Sequence, residues 1–201
     1  MSGGGSYKPK DHFFRKAKSE GLRARSAFKL DEIAARFKLV PKGAHVLDLG
    51  AAPGGFLQIL AREVGPRGVV IGVDLVPIRS LRLPNVKTAA LDVLADDFDA
   101  QLDALHPEAF DAVVSDLAPK TTGVRDTDEA RSLRLAGKAL ELSIQRGTAR
   151  ACFVAKLFMG RDFESFRDEV RTMYQDVKVV RPEATRGASI EVYLVGQKRK
   201  A

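Results

Sequence analysis

The feature that most constrains this chain is an alternation, from His45 onward, of short apolar runs with longer amphipathic segments. Short apolar runs predict buried strands, and apolar residues spaced three and four apart predict helices. The predicted strands are His45–Leu49, Val69–Val73, Val86–Leu91, Asp111–Ser115, Arg150–Leu157, Val177–Val180 and Ile190–Val195. The predicted helices are Gly55–Val64, Ala95–Leu105, Asp128–Arg146 and Asp162–Tyr174.

Strands that alternate with helices predict an α/β fold with a mostly parallel sheet and helices on both faces. Only a loop separates the last two of the seven predicted strands, so we expect them to form a C-terminal antiparallel hairpin. A length of 201 residues is typical of one domain. We place that domain at residues 11–198, after a flexible tail at 1–10 and before a frayed tail at 199–201.

The net charge is concentrated in residues 1–42, which comprise the tail and a basic extension at 11–42. Within this region, the spacing of apolar residues predicts helical structure from Asp11 to about Phe37. Residues 1–42 hold 11 Lys and Arg against 4 Asp and Glu, a surplus of 7 that equals the net charge of the whole chain. Such a basic stretch attracts polyanions through counterion release, which suits an RNA surface. A solubilising tail is the alternative, and charge alone leaves both open.

Several classes of protein are excluded by composition. No apolar stretch approaches the roughly 20 residues of a membrane span, and the N-terminus has no apolar segment of the kind found in secretory signals. The single Cys cannot form an internal disulfide, which suits a reducing compartment. We therefore expect a cytoplasmic protein without a membrane partner, and a monomer.

The first predicted strand leads into a turn of small residues, Gly50 to Gly55, and then into a helix. Ligands of open α/β sheets bind at this edge, beyond the carboxyl ends of the strands. Asp74 ends the second strand, where its carboxylate could take both hydroxyls of a ribose, and Asp92 follows the third, where it could meet an adenine edge. The three turns together predict an adenosine-shaped pocket, although a glycine turn can also serve only to pack a helix on a strand.

Two cofactors compete for such a pocket. The turn lacks the second glycine of the dinucleotide fingerprint, and Pro53 has no amide hydrogen to offer a pyrophosphate. There is also no G-x-x-x-x-G-K-[ST] phosphate loop. S-adenosylmethionine, an adenosyl cofactor without a pyrophosphate, fits better than a nicotinamide dinucleotide.

Five segments together resemble one known family, the FtsJ/RlmE-type ribose 2′-O-methyltransferases, over about residues 11–198. The segments are Gly21–Leu30, Asp48–Phe56, Ser115–Pro119, Phe153–Phe158 and Ser189–Tyr193. The resemblance implies a Rossmann-like methyltransferase fold and methylation of a 2′-hydroxyl in structured RNA, with S-adenosyl-L-methionine as the donor. Its catalytic Lys-Asp-Lys-Glu set falls here on Lys29, Asp116, Lys156 and Glu191.

The same resemblance, with the pattern of the turns, assigns binding residues. The expected cofactor contacts are Asp48, Gly50, Pro53, Gly54, Gly55, Phe56, Asp74, Leu75, Asp92, Val93 and Asp116. The expected RNA contacts come instead from the basic N-terminal region that contains Lys29 and from the final hairpin: Lys8, Lys10, Arg15, Lys16, Lys18, Arg23, Arg25 and Arg186. No metal is expected, because the nucleophile is a substrate hydroxyl and His12, His45 and His106 are isolated without ligand spacing.

A ribose hydroxyl becomes a good nucleophile only as its proton is removed, so a general base must lie within hydrogen-bond reach. Our hypothesis makes Lys156 the base or the group that orients the hydroxyl, with Asp116 between it and the methionine end of the cofactor. Lys29 would steady the developing alkoxide or a phosphate, and Glu191 would position a lysine or the ribose. The positive charge of Lys29 favours the neutral form of Lys156, whereas the carboxylates of Asp116 and Glu191 favour its charged form. The sequence leaves open which effect on the pKa of Lys156 is larger.

The expected substrate is large-subunit ribosomal RNA, at a uridine of the A-loop. One alternative moves the same reaction to tRNA. Another is a ribosome-assembly factor that keeps the fold and binds RNA without catalysis, against which the complete four-residue set argues. The concentrated basic surface disfavours a small-molecule methyltransferase.

Overall fold

The computed structural model describes residues 9–185 and 189–200, without the side chains of 9–11. Its helices are α1 (Pro9–Ser19), α2 (Ala27–Phe37), α3 (Gly55–Val64), α4 (Phe98–Leu105), α5 (Arg125–Gln145) and α6 (Phe163–Met173). Its strands are β1 (His45–Leu49), β2 (Val69–Asp74), β3 (Val86–Ala90), β4 (Phe110–Ser115), β5 (Gly147–Phe158), β6 (Tyr174–Val180) and β7 (Glu191–Arg199). In this part of the chain the strands form one seven-stranded sheet in the order β3-β2-β1-β4-β5-β7-β6.

The predicted fold class is confirmed. The five strands β1 to β5 are parallel, and β7 runs antiparallel between β5 and β6. Side chains alternate between the two faces: Leu47 and Leu49 join a core with α4, α5 and α6, whereas Val46 joins a core with α2 and α3. This alternation with a period of two is what a strand buried on both faces requires.

Several predicted boundaries shift. The basic N-terminal region is two helices rather than one, because the chain turns between Ser19 and Ala27. The helix predicted from Ala95 begins at Phe98, since the Asp92 carboxylate accepts a hydrogen bond from the amide of Leu94 (2.9 Å) and holds the segment in turns. The helix predicted from Asp128 begins one turn earlier, at Arg125.

Residue 199, where we expected fraying, is the last residue of β7 and is tied to the end of α5. The Arg199 guanidinium donates hydrogen bonds to the carbonyls of Ile144 (2.8 Å), Gly147 (2.9 Å), Thr148 (3.2 Å) and Ser143 (3.4 Å). The last carbonyls of a helix have no partner within the helix, so this side chain satisfies groups that would otherwise need water.

We expect Arg199→Ala to lower the free energy of unfolding by about 2 kcal/mol, because part-buried carbonyls lose a charged donor. Urea denaturation monitored by circular dichroism measures this change. Arg171→Ala is the matched control, since it breaks only an exposed ion pair with Asp168 (2.8 Å), and such pairs contribute about 0–1 kcal/mol. Equal losses of the free energy of unfolding in the two variants would show that the hydrogen bonds of Arg199 stabilise the fold no more than an exposed ion pair does.

No helix in the described ranges is both long enough and apolar enough to cross a membrane.

Candidate active site

The strand order switches at β1 and β4: β2 and β3 lie on one side of β1, and β4 and β5 lie on the other. Because β1 and β4 are parallel neighbours, the turns that follow them meet at one edge of the sheet. The amides of Gly50 and Ala51 donate to the carbonyl of Val73 (2.9 and 3.1 Å), and the amide of Asp116 donates to the carbonyl of Leu49 (2.9 Å). Gly50 has a φ of +78°, and a Cβ there would lie 2.9 Å from the amide nitrogen of Leu117. Only glycine fits this position, which brings the two turns into direct contact.

A cavity of about 350 Å³ opens at this edge. It is lined by Leu49, Gly50, Val73–Leu75, Leu91–Leu94, Leu117–Lys120, Arg131, Arg134 and Leu135. Five of the expected cofactor residues are among them: Gly50, Asp74, Leu75, Asp92 and Val93. The lining residues from Leu117 onward were not predicted as cofactor contacts. For Leu117–Lys120, the position shortly after β4 is a signal that could have identified them, whereas Arg131, Arg134 and Leu135 lie on α5.

The carboxylate of Asp74 joins the ends of β1 and β2. One oxygen accepts a hydrogen bond from the amide of Ala52 (2.9 Å), and the other accepts one from the amide of Val76 (3.0 Å). An ionised carboxylate has about four acceptor positions, so these two bonds orient Asp74 without using up its capacity. It can still accept hydrogen bonds from the hydroxyls of a ligand.

The four residues of the predicted catalytic set lie together as two ion pairs. The Nζ of Lys156 is 2.8 Å from Oδ1 of Asp116 and donates to the carbonyl of Asp116 (2.7 Å), while the Nζ of Lys29 is 3.2 Å from Oε2 of Glu191. Each lysine is only 6% exposed. Burial alone would raise the pKa of Glu191, but Lys29 and then Lys156 outweigh it and lower that pKa. Both lysines therefore act on one carboxylate.

Tyr193 belongs to this cluster and was not singled out from the sequence. Its hydroxyl donates to Oδ1 of Asp116 (2.6 Å), the oxygen that Lys156 also contacts. Burial, followed by the charge of Asp116, raises the pKa of Tyr193 well above its usual range, so the hydroxyl keeps its proton and remains a donor. A signal was available, because Tyr193 lies two residues after Glu191 and residues two apart share one face of a strand.

The other expected cofactor residues lie outside the cavity lining. Pro53 and Gly54 lie in the turn before α3, and Gly55 is the first residue of that helix. Phe56 is buried, with its ring 6.5 Å from that of Tyr193. Asp48 lies in β1, fully buried, and neither carboxylate oxygen has a hydrogen-bond partner among residues 9–185 and 189–200. Burial, then the charges of Asp116 and Asp74, raise the pKa of Asp48 well above its usual range.

This shift predicts a pH-dependent loss of stability. Asp48 in the unfolded chain releases its proton near pH 4, whereas Asp48 in the folded protein keeps its proton to higher pH. Above about pH 4 the unfolded state therefore releases this proton more readily than the folded state, and the free energy of unfolding falls as pH rises. We expect Asp48→Asn to lose less free energy of unfolding than the unmodified protein between about pH 5 and about pH 8. Denaturation at both pH values measures this. Asp176→Asn, at an exposed position, should follow the unmodified protein; parallel behaviour of Asp48→Asn would contradict the prediction.

The predicted RNA residues fall into different settings. Arg15, Lys16 and Lys18 are exposed on α1, which packs on α2 through a cluster that includes Phe13 and Phe28. Arg25 is half-buried in the turn between the helices. The guanidinium of Arg23 instead donates to three backbone carbonyls of the protein. Lys10 lies in α1, and Lys8 and Arg186 lie outside the described residues.

Two of the histidines are not isolated, which corrects the sequence analysis. The rings of His45 and His106 are 4.9 Å apart at the start of β1, and His106 is 3% exposed. Burial is the main cause that lowers the pKa of His106, and it outweighs the opposing charge of Glu108. Within the described ranges, no group of three or more His, Cys, Asp or Glu could hold a metal ion.

A protein-family model described as FtsJ-like methyltransferase matches residues 22–199. The chain belongs to the FtsJ-like methyltransferase family. This FtsJ-like methyltransferase is 69% identical over 198 residues, 98% of the chain, to the ribosomal RNA large subunit methyltransferase E of Myxococcus xanthus, of which the match covers 93%. The protein of the same name from Bdellovibrio bacteriovorus is 44% identical over 97% of the chain and 100% of its own length.

Among solved structures, a putative ribosomal RNA methyltransferase of Plasmodium falciparum resembles this FtsJ-like methyltransferase with a TM-score of 0.77. The match covers 88% of the chain and 97% of the other protein at 22% sequence identity. At that identity the likeness shows the shared fold alone.

Proposed function

We propose that this methyltransferase transfers a methyl group from S-adenosyl-L-methionine to the 2′-hydroxyl of a ribose in large-subunit ribosomal RNA. The observation that carries the proposal is the pair of adjoining ion pairs, Lys156–Asp116 and Lys29–Glu191, at the sheet edge that also forms the cavity. The relatives named ribosomal RNA large subunit methyltransferase E support the choice of substrate.

The residues of the cavity suit an adenosyl group. Asp74 is oriented by two amides and can accept hydrogen bonds from ribose hydroxyls. Asp92 lines the same cavity, together with apolar residues such as Leu91 and Leu117. We propose that these residues hold S-adenosyl-L-methionine, with Asp116 facing its methionine end. When bound, this cofactor supplies a methyl group on a sulfonium, which leaves a neutral thioether, S-adenosyl-L-homocysteine.

Lys156 is proposed to orient the ribose hydroxyl and, after Nζ has released its own proton to solvent, to take the proton of the hydroxyl at Nζ. Two bonds to Asp116, one to the carboxylate and one to the carbonyl, fix the direction of this nitrogen. A general base that is held in place in this way avoids the cost of arranging itself during the reaction. Tyr193 in turn fixes the carboxylate of Asp116 through its hydroxyl.

Lys29 is proposed to stabilise the negative charge that develops on the ribose oxygen or a neighbouring phosphate. Its Nζ is buried and held by Glu191, so the positive charge acts in a medium where electrostatic interactions are stronger than in water. Glu191 would position this lysine and balance the charge of the two lysines before the substrate arrives.

The exposed basic residues of α1 are proposed to contact RNA phosphates. Arg15, Lys16 and Lys18 precede α2, which carries Lys29, so they lie on the same extension as the reacting centre. Phosphate contacts position RNA without reading its sequence. The proposed target is a uridine of the A-loop, and we expect the protein to act as a monomer in the cytoplasm.

The experiment that tests the function is methyl transfer from labelled S-adenosyl-L-methionine to three substrates in parallel: intact large subunits, naked ribosomal RNA and bulk tRNA. We expect label on large-subunit RNA, at a 2′-hydroxyl mapped by resistance to alkaline cleavage. The control is Lys156→Ala, which should abolish the label.

The alternatives give different results in the same experiment. Label on tRNA alone would move the target and keep the reaction. No label on any RNA, with measurable binding of S-adenosyl-L-methionine, would favour the assembly factor and contradict the proposed catalysis.

A further inference from the structure

Arg23 lies in the turn between α1 and α2, where the basic extension meets the sheet. Its Nη1 donates hydrogen bonds to the carbonyl of Pro53 (3.1 Å) and to that of Arg79, and its Nη2 donates to the carbonyl of Ser80 (2.6 Å). Pro53 belongs to the glycine turn after β1, and Arg79 and Ser80 belong to the loop after β2. One side chain therefore spans two loops that are separate in the sequence.

The backbone around Arg23 is anchored to the same region. Its amide donates to Oε1 of Gln58 in α3 (2.8 Å), and Nε2 of Gln58 donates to the carbonyl of Gly21 (2.9 Å). A Cβ at Gly54 would lie 3.3 Å from Cδ of Arg23, and one at Gly55 would lie 3.1 Å from Cβ of Ala24. The turn and the extension are in close contact, so the guanidinium is held over the two loops.

These loops belong to the proposed cofactor site. The loop after β2 starts directly after Asp74, and Asp74 itself bonds to Ala52 in the glycine turn. Arg23 makes a further connection between these loops. Its planar guanidinium presents donors in a rigid fork, which suits carbonyls that come from two directions. Loops that are ordered before a ligand arrives bind it at a lower entropic cost.

We propose that Arg23 is a positioning residue for the cofactor: it holds the glycine turn and the loop after β2 at the spacing that S-adenosyl-L-methionine requires. This inference rests on the proposed function, because it takes that cofactor as the methyl donor. It also separates Arg23 from Arg15, Lys16 and Lys18, whose exposed charges suit RNA phosphates. An RNA contact by Arg23 is the competing hypothesis.

The test measures binding of S-adenosyl-L-methionine and of its product by titration calorimetry without RNA, together with KM for each substrate. We expect Arg23→Ala to weaken cofactor binding about tenfold, the effect of losing one hydrogen bond with a charged donor. KM for the cofactor should rise, while kcat at saturating cofactor and KM for RNA stay unchanged. Arg23→Lys should resemble Arg23→Ala, because an ammonium keeps the charge but lacks the fork. Lys18→Ala removes one exposed charge from α1 and should bind the cofactor normally.

Other outcomes overturn the proposal. Unchanged cofactor affinity in both Arg23 variants would do so, even if their melting temperatures fall, because Arg23 would then only support the scaffold. An RNA contact would give a different pattern. In Arg23→Ala the KM for RNA would rise and the salt dependence of RNA binding would fall by about one counterion, and Arg23→Lys would restore both. Failure of the unmodified protein to bind S-adenosyl-L-methionine would overturn the proposed function itself, which distinguishes that failure from the failure of Arg23.

Discussion

Lys156→Ala is expected to lower kcat by about 10²- to 10⁴-fold, the range that removal of a general base produces. The structure gives the reason: Nζ of Lys156 is held by both the carboxylate and the carbonyl of Asp116. Cofactor affinity should change little, because the side chain does not line the cavity. Single-turnover methyl transfer with labelled S-adenosyl-L-methionine, alongside calorimetric binding, measures both quantities.

One further variant separates the two roles of Lys156, as a proton acceptor and as a fixed cation. Lys156→Arg keeps a positive charge but cannot give up its proton, so we expect it to be as inactive as Lys156→Ala. An active Lys156→Arg would show that a fixed cation, rather than a proton acceptor, is what the site needs. Lys138→Ala is the control, since it breaks an ion pair of similar length, with Glu141 (2.7 Å), on the surface of α5 and should leave kcat unchanged.

Asp116→Ala is expected to lower kcat by about 10²-fold or more, because Lys156 and Tyr193 both lose the oxygen that orients them. Misplacing a reacting group by about 1 Å is enough for an effect of about 10²-fold. The variant should also lose about 1–3 kcal/mol of stability, since the buried hydroxyl of Tyr193 is left without an acceptor. Steady-state kinetics and urea denaturation on the same preparations measure the two effects.

Asp116→Asn distinguishes geometry from charge. The amide oxygen can still accept from Tyr193, so we expect stability close to that of the unmodified protein and a smaller loss of kcat than in Asp116→Ala. Asp111→Asn is the control on the same strand, because the Asp111 carboxylate accepts from the amide of His45 (2.9 Å) at the opposite end of β4. A fall in kcat for Asp111→Asn as large as for Asp116→Ala would show that any loss of a carboxylate from β4 disturbs the enzyme.

Much of the fold could be predicted because each apolar run has a strong local signal. The runs at His45–Leu49, Val69–Val73 and Val86–Leu91 are short, rich in apolar residues and bounded by turns, and all three are strands. Boundaries were less accurate. The segment before Phe98 has helix-forming residues, but side-chain bonds such as that of Asp92 to the amide of Leu94 hold it in turns.

The identities of the catalytic set came from a resemblance between motifs, and their assembly is a property of the tertiary structure. Lys29 and Glu191 are 162 residues apart in sequence and form an ion pair. β7 inserts between β5 and β6, which brings Glu191 and Tyr193 beside the strand that carries Lys156, with Tyr193 directly opposite Lys156. No local pattern specifies that strand order, so the bond between Tyr193 and Asp116 could not be predicted, although the spacing from Glu191 placed Tyr193 on the same face of the strand.

By itself the sequence determined the elements, the small residues of the turn at Gly50 and the chemical types present at each strand end, because these depend on neighbours within a few positions. Only the tertiary structure decided which of those groups share a partner. Arg23 and Lys18 are equally basic in the sequence, yet one bonds to carbonyls of two loops and the other is exposed on α1. The difference arises because burial and hydrogen bonding depend on segments that are distant in the chain, and the charge of a residue does not show which distant segments it will contact.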